Sequence, residues 1–145
     1  KNEIGDYLIE NGKEFGVVTG RRRRCGWLDL VSLKYSVRVN SLSELFITKL
    51  DILSGLEEIK LATSYKYDEK IYEDYPYEQK ILYDGEPVYM TLPGWKEDIS
   101  EIKKFDQLPL NAQNYLKIIE DFIEVPITFI SVGPERNQNI ILDND

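Results

Sequence analysis

The sequence contains no histidine and only one cysteine, Cys25, among its 145 residues. The first absence removes every Ser-His-Asp or Cys-His nucleophilic machine from what these residues can assemble by themselves. Together the two scarcities remove a histidine-rich zinc or iron site and a thiolate cage, so no metal site is expected. A lone cysteine also excludes an internal disulfide, which fits a reducing compartment and makes cytoplasm the expected location. No stretch approaches the roughly 18 apolar residues of a membrane span, and no basic-plus-apolar leader pattern opens the chain, so no membrane partner is expected. No repeat, low-complexity tract or Pro/Ser-rich linker divides the chain, whose length suits a single core. Basic charge is scarce too: 18 Lys and Arg stand against 26 Asp and Glu, a net of −8. Nucleic acid is therefore not an expected partner, because phosphate contacts need a basic face. Carboxylates, lysines, arginines, tyrosines and hydroxyls remain, and they suit binding better than complete catalysis.

What is present is an ordinary globular composition, 42% hydrophobic and 30% charged, with readable periodicities. Ile4, Tyr7 and Leu8 recur at helical spacing and Asn11-Gly12 supplies a stop, so residues 3–11 are predicted helical. Gly16 to Gly20 and the arginines that follow are predicted as a loop. Residues 28–39 suggest a buried helix, apolar nearly all round and ending at Asn40. Leu45 to Thr48 suits a fully buried strand. Residues 58–67 alternate like a half-exposed strand, with Ile59, Leu61, Thr63, Tyr65 and Tyr67 on one side. Asp68 to Gly85 reads as a hairpin and loop, Pro87 to Leu92 as a strand closed by Pro93-Gly94. Pro109 opens a helix striped by Ala112, Tyr115, Leu116, Ile119, Phe122 and Ile123, and Pro126 ends it. Ile127–Ile130 and Asn139–Leu142 complete the strands. This alternation predicts an α/β fold with a mixed sheet and flanking helices.

Three constellations carry possible chemistry. Thr48-Lys49-Leu50-Asp51 follows an apolar strand, and several GTP-binding proteins read guanine with Thr/Asn-Lys-x-Asp at such a point. A carboxylate there can accept from both guanine N1–H and the 2-amino group, a donor pair that adenine lacks. The lysine stem can lie along the base with its ammonium in water, and strand ends are where α/β sheets place ligands. The same four residues also suit a polar strand exit. Thr19-Gly20-Arg21-Arg22-Arg23-Arg24 combines carboxylate- or phosphate-matching forks with a glycine that lets main-chain N–H groups face an anion. A localisation signal, a nucleic-acid patch or a solvated run would look alike. However, Cys25-Gly26-Trp27-Leu28-Asp29 and an apolar helix follow at once, which places the run inside the fold. Ser131-Val132-Gly133-Pro134 could offer a hydroxyl and N–H groups to a carbonyl such as guanine O6, or be a simple turn. Pro93-Gly94-Trp95 reads as a turn with a packed aromatic, and the Tyr72–Tyr83 cluster as surface or interface packing.

Taken in order, a longer series of motifs resembles the adenylosuccinate synthetase family. It runs Gly12 to Gly16, Thr19 to Asp29, Val39 to Leu42, Thr48 to Lys60, Leu92 to Trp95, Leu108-Pro109 and Ser131 to Arg136. The resemblance covers the chain to about Leu142 and corresponds to roughly the last third of that enzyme, so residues 1–145 are expected to be its C-terminal segment. It implies the C-terminal part of a P-loop-NTPase-like, GTP-binding ligase fold, here with an aspartate/IMP loop at 16–24, a guanine-recognition strand end at 48–51 and a guanine-contact turn at 131–134. The family's reaction, in AMP biosynthesis, transfers phosphate from GTP to the 6-oxygen of IMP, and the amino group of L-aspartate then displaces it to give adenylosuccinate. By resemblance, Val17, Val18, Thr19, Gly20, Arg21, Arg22 and Arg23 form the loop over aspartate. Arg21 also meets the IMP ribose and Arg23 the GTP side. Lys49, Leu50 and Asp51 hold guanine with Ser131, Val132 and Gly133. The resemblance also implies a cytoplasmic homodimer and Mg2+, with the phosphate loop, the catalytic aspartate and histidine and the magnesium ligands in the N-terminal part, so no catalytic residue is expected here and the isolated chain is expected to be inactive. Val17 and Val18 stand where the family commonly carries a threonine run, and Arg22 replaces a frequent proline. A stand-alone guanine-nucleotide-binding module is the alternative, with a nucleic-acid module built on Arg21–Arg24 a third.

Overall fold

The computed structural model describes residues 9–11, 16–17, 27–76 and 78–142. In chain order they form β1 (Ile9–Asn11), β2 (Gly16–Val17), β3 (Leu28–Asp29), α1 (Leu30–Val39), β4 (Leu45–Ile47), β5 (Glu58–Tyr67), β6 (Lys70–Tyr72), α2 (Gln79–Asp84), β7 (Glu86–Pro93), α3 (Leu110–Ile123), β8 (Ile127–Ser131) and β9 (Asn139–Ile141). One sheet has the order β2-β1-β4-β8-β9, and within it only β4 and β8 run parallel. The second is built on β5, flanked by β3 and β6 and paired along its other edge with β7. The α/β expectation holds, but there are two sheets rather than one. A parallel neighbour demands a long crossover, and between β4 and β8 the chain builds most of the second sheet and then α3.

Leu45 and Ile47 of β4 are fully buried, as are Leu50 and Leu53 just beyond it. Against them pack Leu30, Leu33 and Val37 of α1 and the α3 stripe Ala112, Tyr115, Leu116, Ile119 and Ile123. That stripe is the one its 3.6-residue period predicts. Glu124, in the left-handed conformation, ends α3 with its N–H on the Glu120 carbonyl, before Pro126. The α1 helix starts two residues later than expected, because Leu28-Asp29 pair with Leu61-Ala62 as a parallel strand. It is also not buried all round: Tyr35 and Val39 are exposed. Tyr35 stacks on Tyr75 at 3.9 Å, so part of the tyrosine cluster is surface packing, as expected.

The start of α1 rests on a buried carboxylate. Asp29 Oδ1 accepts the Ser32 N–H at 3.1 Å, and Oδ2 accepts the Ser32 hydroxyl and the Tyr65 hydroxyl. Asp29→Ala removes the helix cap and a buried acceptor together. The expected cost is about 2 kcal/mol, read as a lowered midpoint in urea unfolding; an unchanged midpoint would show that the network adds nothing.

Four local expectations fail. Residues 9–11 end the predicted 3–11 helix, yet they are strand: Ile9, Glu10 and Asn11 pair with Ile47, Phe46 and Leu45. Gly16-Val17, predicted as loop, pair back on Ile9-Glu10. A nine-residue helix with three apolar positions is marginal by itself, and the backbone groups of a buried strand's edge offer stronger partners. Alternation in β5 breaks at the register shift between Ala62 and Ser64. The extra residue of such a bulge flips the pleat, so Ala62 and Ser64 are buried beside Ile59, Leu61 and Tyr65. The α2 helix lies where only a hairpin and loop were expected.

Candidate functional site

The side-by-side ends of β4 and β8 organise the site. Ile47 is aligned with Ile130 in the parallel register, so Thr48 onward and Ser131 onward leave the sheet at the same edge. The carboxyl ends of neighbouring parallel strands are where such sheets bind ligands. The Lys49 N–H donates to Ser131 Oγ at 2.7 Å, linking segments 82 residues apart. Two of the three sequence-predicted pieces are thereby neighbours in space.

Beyond β4 the chain reverses sharply. Lys49 has φ 60° and ψ 39°, the left-handed region, and a 3-10 turn over Leu50–Leu53 follows. A residue with a Cβ at such angles costs roughly 1 kcal/mol or more. The turn is held by its apolar residues, since Leu50 and Leu53 are fully buried. Lys49 is left exposed and Asp51 half-buried at the rim. Among the described residues neither the Asp51 carboxylate nor the Lys49 ammonium has a hydrogen-bond or ion-pair partner. Both are available to a ligand. Leu50, expected as a contact, is fully buried.

The far end of this turn is clamped by residues not singled out for a site. Ser54 Oγ accepts the Trp95 indole N–H at 2.9 Å, and the Gly55 N–H donates to the Trp95 carbonyl at 2.8 Å. Trp95 is buried and its ring lies 6.0 Å from that of Tyr115. Gly94 leaves no space for a side chain, because the Leu56 carbonyl lies where a Cβ would be. Pro93-Gly94-Trp95 carries the packed aromatic expected but is the end of β7 and its extension along β5 rather than a turn, and it also braces the Asp51 segment. Trp95→Phe keeps most of the packing and loses the donor. An expected destabilisation of about 1–2 kcal/mol follows, visible as a lower thermal midpoint; no shift would mean the Ser54 bond is idle.

After β8, Val132 is fully buried and its N–H donates to the Gln138 carbonyl at 2.9 Å. Val132 is therefore not the donor expected of it, since this bond occupies its N–H. The Gly133 N–H has no protein acceptor among the described residues. Ser131 Oγ accepts from Lys49, which leaves its own hydrogen to donate outward. These neighbouring segments thus offer a free carboxylate and two donors, the Gly133 N–H and the Ser131 hydroxyl. That pattern complements a flat heterocycle carrying adjacent N–H donors and a carbonyl.

Val17 lies in β2, while Val18, Thr19, Gly20, Arg21, Arg22, Arg23 and Arg24 lie outside the described residues. Among the described residues no group of three or more His, Cys, Asp or Glu is placed to hold a metal ion. No described cluster of carboxylates fits magnesium. No helix among the described residues is long and apolar enough to cross a membrane. A separate cavity of about 330 Å³ is lined by Lys34, Thr63, Ser64, Glu73, Asp74 and Phe122 and includes none of the residues expected in a site.

A family profile described as adenylosuccinate synthetase matches residues 1–140. The chain is 52% identical over 139 residues to an adenylosuccinate synthetase of Halothermothrix orenii, covering 96% of the chain and 32% of that relative. It is 54% identical over 135 residues to one from Meyerozyma guilliermondii, covering 93% of the chain and 32% of the relative. A solved structure of fully ligated adenylosuccinate synthetase from Plasmodium falciparum superposes with a TM-score of 0.77 at 46% identity, covering 91% of the chain and 32% of that structure. The chain spans roughly a third of the length of the curated relatives it matches. They establish that share of the length, and not the C-terminal position the sequence suggested for it.

Proposed function

The chain belongs to the adenylosuccinate synthetase family, and from that premise we propose that it supplies the guanine, aspartate and IMP-ribose contacts of a GTP-dependent ligase joining IMP to L-aspartate. The observation that carries the reading is the Lys49 N–H bond to Ser131 Oγ, which gathers the two base-reading segments at the ends of parallel strands. The Asp51 carboxylate accepts from guanine N1–H and the 2-amino group. The Gly133 N–H and the Ser131 hydroxyl donate to O6, and the Lys49 stem lies along the base face. Adenine would set a 6-amino donor against those donors and would leave Asp51 without N1–H, so both edges reject it.

The same reading gives the arginines their roles. Arg21 and Arg23 grip anionic groups with paired parallel N–H bonds, on aspartate and, respectively, towards the IMP ribose and GTP. The transfer of phosphate from GTP to the IMP 6-oxygen, and its displacement by the aspartate amine, require an acid/base group. With no histidine, this chain contributes binding and orientation. The purified 145-residue chain is expected to show neither GTP hydrolysis nor ligase activity above background. Turnover that disappears on substituting Asp51 would refute this division of labour.

Ser131→Ala tests the carrying observation in the full-length enzyme. It removes the acceptor that holds Lys49 and a donor to O6. The expected loss is about 1.5–3 kcal/mol, seen mainly as a raised KM for GTP with the aspartate KM unchanged. An unaltered KM for GTP would separate the two strand ends functionally.

A further inference from the structure

We propose that Gln138 is a positioning residue that aims the Gly133 N–H at the guanine 6-oxygen, and so sets how strictly the site demands a 6-carbonyl; this rests on the guanine reading above. Between Ser131 and Asn139 the chain makes a seven-residue excursion, 132–138, from β8 to β9. A donor on such a loop is useful only if its direction is fixed, because hydrogen bonds weaken steeply away from linearity. Gln138 fixes it by three bonds across the loop. Its carbonyl accepts the Val132 N–H at 2.9 Å, its N–H donates to the Glu135 carbonyl at 3.0 Å, and its side-chain Oε1 accepts the Glu135 N–H at 2.9 Å. Its Nε2 faces Glu101 Oε2 at 3.5 Å, which sets which end of the carboxamide points inward.

The carboxamide also lies directly against Gly133. A Cβ at position 133 would overlap the Gln138 side-chain oxygen and carbon. A side chain here would have to push the carboxamide aside, and no unusual dihedral is involved, since Gly133 is not among the positive-φ residues. Gln138 therefore packs on one donor-bearing residue while anchoring the residue on either side of the loop. The Val132 N–H is turned inward and the Gly133 N–H is left for the ligand.

The test uses the full-length enzyme and compares kcat/KM for GTP with that for 6-thio-GTP, whose sulfur is a larger and weaker acceptor but which keeps N1–H and the 2-amino group. The wild-type enzyme should favour GTP by about tenfold or more. Gln138→Met keeps the length without the inward acceptor and should lower GTP use severalfold with little effect on 6-thio-GTP, collapsing the ratio. Pairing Gln138→Glu with Glu101→Gln exchanges carboxylate and carboxamide, keeps both bonds and should restore the ratio. Should Gln138→Met not fold, Gly133→Ala displaces the same carboxamide and offers the same comparison. An equal fall for both nucleotides, with the ratio kept, would reduce Gln138 to general stability and overturn the inference. Equal use of both nucleotides by the wild-type enzyme, with Asp51→Asn leaving GTP preferred over XTP, would overturn the guanine reading itself and the inference with it.

Discussion

In the full-length enzyme, Asp51→Asn is expected to exchange the nucleotide preference from GTP to XTP. The Asp51 carboxylate stands half-buried on a 3-10 turn whose Leu50 and Leu53 are fully buried, so its replacement cannot easily swing away. An asparagine amide would aim an N–H donor at one of guanine's two donors. Two groups then lose their partners in a partly desolvated site, at about 1–3 kcal/mol each, or roughly 30- to 25,000-fold in GTP use for the pair. Xanthine has a carbonyl at position 2 and so presents one acceptor beside one donor, which the amide can satisfy. IMP and aspartate dependence should stay nearly constant, because the proposed role of Asp51 is confined to the guanine base. Steady-state rates with GTP and XTP decide the matter. A merely structural strand exit predicts that both proteins use GTP alike and ignore XTP.

The second large effect belongs to the arginine segment. Arg21→Lys and Arg23→Lys each keep a positive charge, yet each replaces a planar fork with a point charge. If these side chains grip the carboxylates of aspartate through two parallel bonds, the expected loss in transition-state stabilisation is about 2–4 kcal/mol. It should appear chiefly in the aspartate dependence of the rate, with Arg21→Lys also weakening IMP. Ordinary aspartate kinetics in both variants would remove the segment from the site.

Elements that bury one strong period were legible in the sequence. The α3 stripe from Ala112 to Ile123 is buried much as its pattern indicates, and so are Leu45 and Ile47 of β4 and Ile127 and Ile130 of β8. Phe46 and Phe129 between them stay half-buried, so the fully buried strand expected at Leu45–Thr48 is only partly found. The placement of Lys49–Asp51 and Ser131–Gly133 at strand ends was legible for the same reason, since each segment directly follows one of those strands. Whatever depends on distant partners was not. Ile9–Asn11 became strand because β4 has an edge to satisfy, a fact absent from the local pattern. The break in β5 alternation at Ala62–Ser64 comes from its pairing with β7. Ser54 and Trp95 are 41 residues apart, and nothing local marks them as a brace for Asp51. Gln138 sits in a polar loop where one glutamine looks like any other, and its role emerges only once its carboxamide is seen folded against Gly133.

A crystal structure of the full-length enzyme with GDP examines the base site most directly. The guanine ring should lie at the joint end of β4 and β8. The Asp51 carboxylate should be within about 2.7–3.2 Å of N1 and the 2-amino nitrogen, with the Gly133 N–H at similar range from O6. The Lys49 N–H should still rest on Ser131 Oγ. A base bound elsewhere, with the Asp51 carboxylate facing only solvent, would contradict the assignment.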